Sequence, residues 1–137
     1  MEETRIVDLR SDTFTLPTEE MLEAIRTAKL GDDQVREDPT VNRLEELTAR
    51  KMGKEAALLT TSGSQANLVG LMSLTTRGDE VILEADAHIY TTESGTFSTI
   101  GGLIPRLIAG HMGVLDPRDI EKVLRPRSMH YPPTSLI

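Results

Sequence analysis

The sequence contains no cysteine and no tryptophan, only four aromatic residues (Phe14, Tyr90, Phe97 and Tyr131), and no long apolar run. Without cysteine there is no disulfide framework, no thiolate metal site and no thiol nucleophile. Without a run of roughly 20 apolar residues there is no transmembrane helix to expect. The start, Met1-Glu2-Glu3-Thr4-Arg5, is charged and no apolar segment follows it, so the expectation is a cytoplasmic protein without a secretory leader. Positive charge is also scarce: 15 Lys+Arg against 22 Asp+Glu leave a net charge of −7, which argues against a nucleic-acid or anionic-membrane partner.

What is present, 38% hydrophobic and 27% charged residues over 137 positions, is the composition of an ordinary globular chain of about one domain's length. Residues 5–16 read as extended. Thr18 is placed to cap a helix over 18–29, with Glu19 and Glu20 in its first turn and an apolar face of Met21, Leu22, Ile25 and Ala28 that Gly31 ends. Asp38-Pro39 is the strongest helix-start signal in the chain, and Gly53 the matching stop. Ala56-Ala57-Leu58-Leu59-Thr60 reads as a buried strand that leads through Thr61-Ser62-Gly63-Ser64 into another helix. A strand at 80–84, a helix near 90–98, a strand near 103–108, a helix after Asp116-Pro117 stopped by Pro126, and a strand from Thr134 follow. This alternation predicts an α/β fold with a mostly parallel sheet and flanking helices.

Ligands of open parallel sheets sit beyond the carboxyl ends of the strands, so the loops that follow strands carry the chemistry. One is Thr61-Ser62-Gly63-Ser64-Gln65-Ala66-Asn67: glycine for close backbone approach, hydroxyls, and a helix N-terminus, together a cup for phosphate. Taken alone the turn is weak evidence, because Ser-rich turns that merely cap helices are common. The other places His88 just past strand 80–84, with Asp86 before it and Glu93 after it. An imidazole there serves to stack on a flat ring, to move a proton, or simply to hold the loop. A phosphate cup and a ring-facing histidine on one sheet edge point to a phosphorylated aromatic cofactor, which pyridoxal 5'-phosphate satisfies.

In this order, Asp8-Leu9-Arg10-Ser11-Asp12-Thr13-Phe14-Thr15, Gly31-Asp32-Asp33, Glu37-Asp38-Pro39-Thr40, Gly53-Lys54-Glu55-Ala56-Ala57, Ser62 to Asn67, Gly78-Asp79-Glu80 and Asp86-Ala87-His88 resemble the low-specificity L-threonine aldolases. That family belongs to the fold-type-I pyridoxal-phosphate enzymes, with an aspartate aminotransferase-like large domain. The resemblance continues through His130-Tyr131-Pro132-Pro133 to Ile137. It implies cleavage of β-hydroxy-α-amino acids such as threonine or allo-threonine to glycine and an aldehyde, in a homotetramer with sites at a dimer interface. By the same resemblance Gly63 and Ser64 bind the cofactor phosphate, and His88 stacks on the pyridine ring and handles the β-hydroxyl proton. Glu93 lies beside that histidine, Ser11 and Arg10 serve the substrate carboxylate, and His130 faces the substrate side chain. Structural alternatives stand beside these roles: an Arg10–Asp12 ion pair, a helix-face carboxylate for Glu93 and a loop role for His130. His111, in Gly110-His111-Met112-Gly113, reads as an exposed turn residue.

The chain departs from the family pattern in three places. Ser64 stands where threonine is usual, Gln34-Val35-Arg36 where Val-Tyr-Gly is common, and Pro133 where arginine is common. Moreover, none of Lys29, Lys51, Lys54 and Lys122 matches the lysine that holds the cofactor covalently in the family. The resemblance therefore implies the N-terminal part of an enzyme: an arm and helix over 1–30, then an incomplete cofactor-binding α/β domain over 31–137. Such a chain is expected to be catalytically silent by itself. Two alternatives remain open at this point: another pyridoxal-phosphate lyase, β-eliminating or acting on a sugar-derived amino acid, and a non-catalytic acidic α/β module binding a phosphorylated ligand or a protein.

Overall fold

A computed structural model describes residues 7–137; Arg5 and Ile6, where the stretch expected to be extended begins, lie outside the described residues. The chain forms two compact units, one ending at Leu59 and one spanning Thr60–Ile137. In the first, the predicted extended stretch tightens into a 3-10 turn at Asp12–Phe14, because Ser11 Oγ accepts the Thr13 N–H at 3.3 Å. Helix α1 (Glu19–Thr27) starts where expected, with Thr18 Oγ1 accepting from Met21 N at 3.3 Å. It ends one turn before Gly31, which instead permits a close backbone approach, since a Cβ there would collide with the Glu37 carbonyl.

Helix α2 (Pro39–Met52) has the predicted Asp38 cap and the left-handed Gly53 at its end. The Asp38 carboxylate does more than cap. One oxygen accepts from Thr40 N and Val41 N, both at 2.9 Å, while the other accepts from Gly31 N at 3.0 Å and so closes the loop that enters the helix. The strand predicted at 56–60 does not form. No strand lies beside it among the described residues, and the Leu59 N–H donates instead to the buried Glu45 carboxylate at 2.8 Å. The apolar face of α1 is present but open: Met21 and Ile25, with Pro17, Ala28, Leu30 and Leu44, line a groove, and Ile25 is 70% exposed.

The second unit is a three-stranded parallel sheet in the order β2-β1-β3, with β1 (Glu80–Glu84) in the centre, β2 (Ile104–Ile108) and β3 (Thr134–Leu136). Pro105, which has no N–H to give a ladder, sits in β2 at the sheet edge. Helix α3 (Gly63–Leu74) packs Leu71 on Val81, Phe97 and Leu103, and Leu83, Ile89 and Leu136 close around this core. The predicted helix at 90–98 is two short ones, α4 (His88–Thr91) and α5 (Thr96–Thr99). Ser94 and Gly95, at φ 55° and 71°, break the helical path between them. Helix α6 (Pro117–Val123) has its Asp116 cap and stops short of Pro126. No described helix is long and apolar enough to cross a membrane.

Phe97 is 2% exposed and is the largest side chain in this core. Phe97→Ala is therefore expected to lower the unfolding free energy by about 3–5 kcal/mol in a urea titration. The N–H groups of Val41, Gly31 and Thr40 together hold the Asp38 carboxyl below the usual carboxylate range. A carboxyl with a depressed folded pKa stabilises above its unfolded value of about 3.9, and this stabilisation is lost as pH falls through the folded value. Asp38→Asn should melt lower than the parent at neutral pH and lose less stability on acidification from about pH 6 to about pH 3, read by thermal melts.

Candidate active site

Ser62 opens α3 with two bonds: its Oγ accepts from Gln65 N at 3.1 Å and its carbonyl accepts from Ala66 N at 3.0 Å. Gln65 reaches back, its Oε1 accepting from both Thr61 N and Thr61 Oγ1 at 2.8 Å. This Ser-x-x-Gln pattern is a capping box shifted by one residue, legible in the sequence though not among the expectations drawn from it. Its effect is to fasten the turn while the N–H groups of Gly63 and Ser64 stay outside the helical ladder. A Cβ at Gly63 would meet nothing within 4 Å, so the space beside this residue is open. Within the predicted phosphate cup Ser62 is therefore the cap, and Gly63 and Ser64 are exposed.

On the other side stands Glu93. The alternative of a helix-face carboxylate does not hold: the residue lies in the link between α4 and α5, and its side chain is 2% exposed. Oε1 accepts from Asn67 Nδ2 of α3 at 2.7 Å and lies 3.7 Å from Nε2 of His88, whose side chain is 70% exposed. Oε2 is buried with no hydrogen-bond partner among the described residues. His88 begins α4 just beyond the carboxyl end of β1, where the sequence placed it. The preceding turn is tied down by Glu84, whose Oε2 accepts from Asp86 N at 2.8 Å and whose Oε1 accepts from Gly110 N at 3.1 Å. One sheet edge therefore gathers the α3 N-terminus, Glu93 and His88, with Asn67 joining them. Asn67 is a functional candidate that sequence reasoning missed, although its position three residues after Ser64 and four after Gly63 puts all three on one helix face.

His130 is elsewhere. It lies four residues before β3, exposed, with its N–H donated to Ser128 Oγ at 3.1 Å. Because β3 runs parallel to β1, this loop is at the amino end of the sheet and His88 is at the carboxyl end. Arg10 and Ser11 belong to the first unit. Arg10 pairs with Asp8 rather than Asp12, and its guanidinium lies 4.1 Å from the centre of the Phe14 ring. Arg10 holds the Asp8 carboxyl below the usual range. Ser11 Oγ is engaged with Thr13, from whose Oγ1 it accepts at 3.0 Å. His111 is exposed in a tight turn closed by reciprocal bonds with Val114, as expected.

Residues 8–137 match the family model described as Beta-eliminating lyase. The chain is 47% identical over 137 residues to "Low-specificity L-threonine aldolase 1" of Arabidopsis thaliana, covering 97% of this chain and 38% of that protein. It is 41% identical over 133 residues to "Low specificity L-threonine aldolase" of Escherichia coli (strain K12), covering 96% and 40%, respectively. With the Saccharomyces cerevisiae protein of the same name the identity is 35% over 134 residues, covering 95% and 35%. The chain thus spans well under half the length of these curated relatives.

The division of labour in the α3 turn is testable. Ser62→Ala should destabilise the chain by about 1 kcal/mol through loss of the cap, whereas Ser64→Ala should leave stability within about 0.5 kcal/mol of the parent, both read by urea unfolding.

Proposed function

The chain belongs to the beta-eliminating lyase family, and on that premise we propose for it a part in a pyridoxal-phosphate-dependent carbon–carbon lyase that splits β-hydroxy-α-amino acids, threonine and allo-threonine among them, into glycine and an aldehyde. The observation that carries the reading is the gathering of the α3 N-terminus, buried Glu93 and exposed His88 at one sheet edge. The names of the relatives, low-specificity L-threonine aldolases, support the substrate class. The residues present fit the cofactor: outward N–H groups at a helix N-terminus suit a phosphate, and an exposed imidazole suits one face of a pyridine ring. Bound there, pyridoxal phosphate supplies an electron sink for the charge left on Cα when the Cα–Cβ bond breaks.

The chain's own residues do the rest. Gly63 and Ser64 hold the phosphate through their N–H groups and the Ser64 hydroxyl; the exchange of threonine for serine keeps that hydroxyl. His88 Nε2 faces Glu93 Oε1 at 3.7 Å, which leaves Nδ1 as the ring nitrogen that takes the β-hydroxyl proton. Ser11 and Arg10 serve the substrate carboxylate. His130 stands at the opposite end of the sheet from His88; its place near substrate is part of the proposal of a homotetramer with sites between subunits. Lys122, the one lysine of the Thr60–Ile137 unit, is paired with Asp119 on α6. No lysine of the chain takes the cofactor covalently, and the 137 residues alone are silent.

A second reading, β-elimination by the same site, is favoured by the family description. Products separate the two: glycine with an aldehyde, or ammonia with a keto acid. In the complete enzyme, His88→Phe keeps a ring to stack but has no base, and turnover should fall by roughly a hundredfold or more; unchanged turnover places the base elsewhere. The 137-residue chain mixed with pyridoxal phosphate and threonine should give no sustained glycine and acetaldehyde, and sustained formation of both refutes its silence.

A further inference from the structure

Packing does not hold His88 in place. Its side chain is 70% exposed, and among the described residues its ion-pair partner is the Glu93 carboxylate, with Oε1 at 3.7 Å from Nε2. Glu93 in turn is an unusual anchor. A carboxylate with a side chain only 2% exposed needs donors, yet among the described residues Oε2 has none and Oε1 has one hydrogen bond, from Asn67 Nδ2 at 2.7 Å. Asn67 sits on α3 one turn from Gly63 and Ser64, on the face they share. The helix that presents the cup therefore also fixes, through a single amide, the acid against which His88 rests.

We propose that Asn67 is a positioning residue for His88: its side-chain amide holds Glu93 in the orientation that faces Nε2, and so sets the imidazole at a fixed place relative to the α3 N-terminus. The inference rests on the reading of His88 as the proton acceptor only where it concerns turnover; the positional claim stands on the geometry. Losing the amide leaves Glu93 with no hydrogen bond among the described residues, so nothing holds the buried carboxylate in the orientation that aligns the ring. Asn67→Asp goes further, since it sets a second carboxylate against the first.

Two measurements test this. The chain has three histidines, His88, His111 and His130, so their ring signals can be followed separately by NMR of the 137-residue protein and assigned by single replacements. In Asn67→Ala and in Asn67→Asp the His88 signals should move while those of His111 and His130 stay, the latter two reporting an intact fold. His88 signals unchanged in both variants overturn the proposal, and so does a parallel shift of all three histidines in both, which marks Asn67 as merely structural. In the complete enzyme, Asn67→Ala should lower kcat by on the order of tenfold to a hundredfold with KM within about twofold. A raised KM with unchanged kcat overturns the positioning role. If the parent enzyme itself makes no glycine from threonine, the functional reading fails while the ring-signal result still decides the role of Asn67.

Discussion

The second unit depends on one buried acid. Glu80, 2% exposed, is the first residue of the central strand, and its side chain is held from three directions. Thr134 Oγ1 of β3 donates to it at 3.0 Å, Arg106 Nε of β2 lies 3.3 Å away as an ion-pair partner without hydrogen-bond alignment, and Arg125 Nη2 approaches to 3.9 Å. Its backbone N–H adds a fourth link, donated to the Pro133 carbonyl at 2.8 Å. A parallel strand pair has no tight hairpin to set its register, so contacts of this kind do so instead. The register shift of β3 falls at Glu80 and Val81, where this network sits. A buried charge that loses one partner costs several kcal/mol, about 3–5 in comparable cases, which gives the sheet a strong preference for this arrangement.

Glutamates occupy both ends of β1 and do different work. Glu80 joins the three strands and, through Arg125 and Thr134, both ends of the loop that carries His130; Arg125 also lies 4.8 Å from the centre of the Tyr131 ring. Glu84, at the carboxyl end, ties Gly110 beyond β2 to the turn at Asp86 that delivers His88. Between them Val81 and Ile82 are 1% exposed, on opposite faces of the strand. The strand thus has a polar fastening at each end, and the candidate site lies at the end fastened by Glu84. Glu93 repeats the device with fewer partners. Its second oxygen has no partner among the described residues, where Glu80 is met from several sides.

Where the local pattern was sufficient, sequence and structure agree. Asp38-Pro39, Asp116-Pro117, Thr18 and Gly53 are caps whose effect is confined to one turn of chain, and all four act as their spacing implied. The strand 80–84 was legible because its acid-bounded apolar run could hardly be anything else. Residues 56–60 looked equally strand-like but make no ladder, since apolar character cannot provide a neighbouring strand to bond with. The helix expected near 90–98 broke at Ser94 and Gly95. The apolar face of α1 was legible as a pattern, but its exposure was not: Met21 is 57% and Ile25 70% exposed.

By itself the sequence determined the types of group available and their local settings: the caps, the small-residue turn at Ser62-Gly63-Ser64, a histidine following a strand, and the family to which these belong. Only the tertiary structure decided which of those groups come together. It joined Asn67 to Glu93 across 26 residues and separated His130 from His88 by the length of a strand. The physical reason is that hydrogen bonds at chain separations of this size, and the direction of parallel strands, are set by packing between elements, which no local pattern of residues encodes.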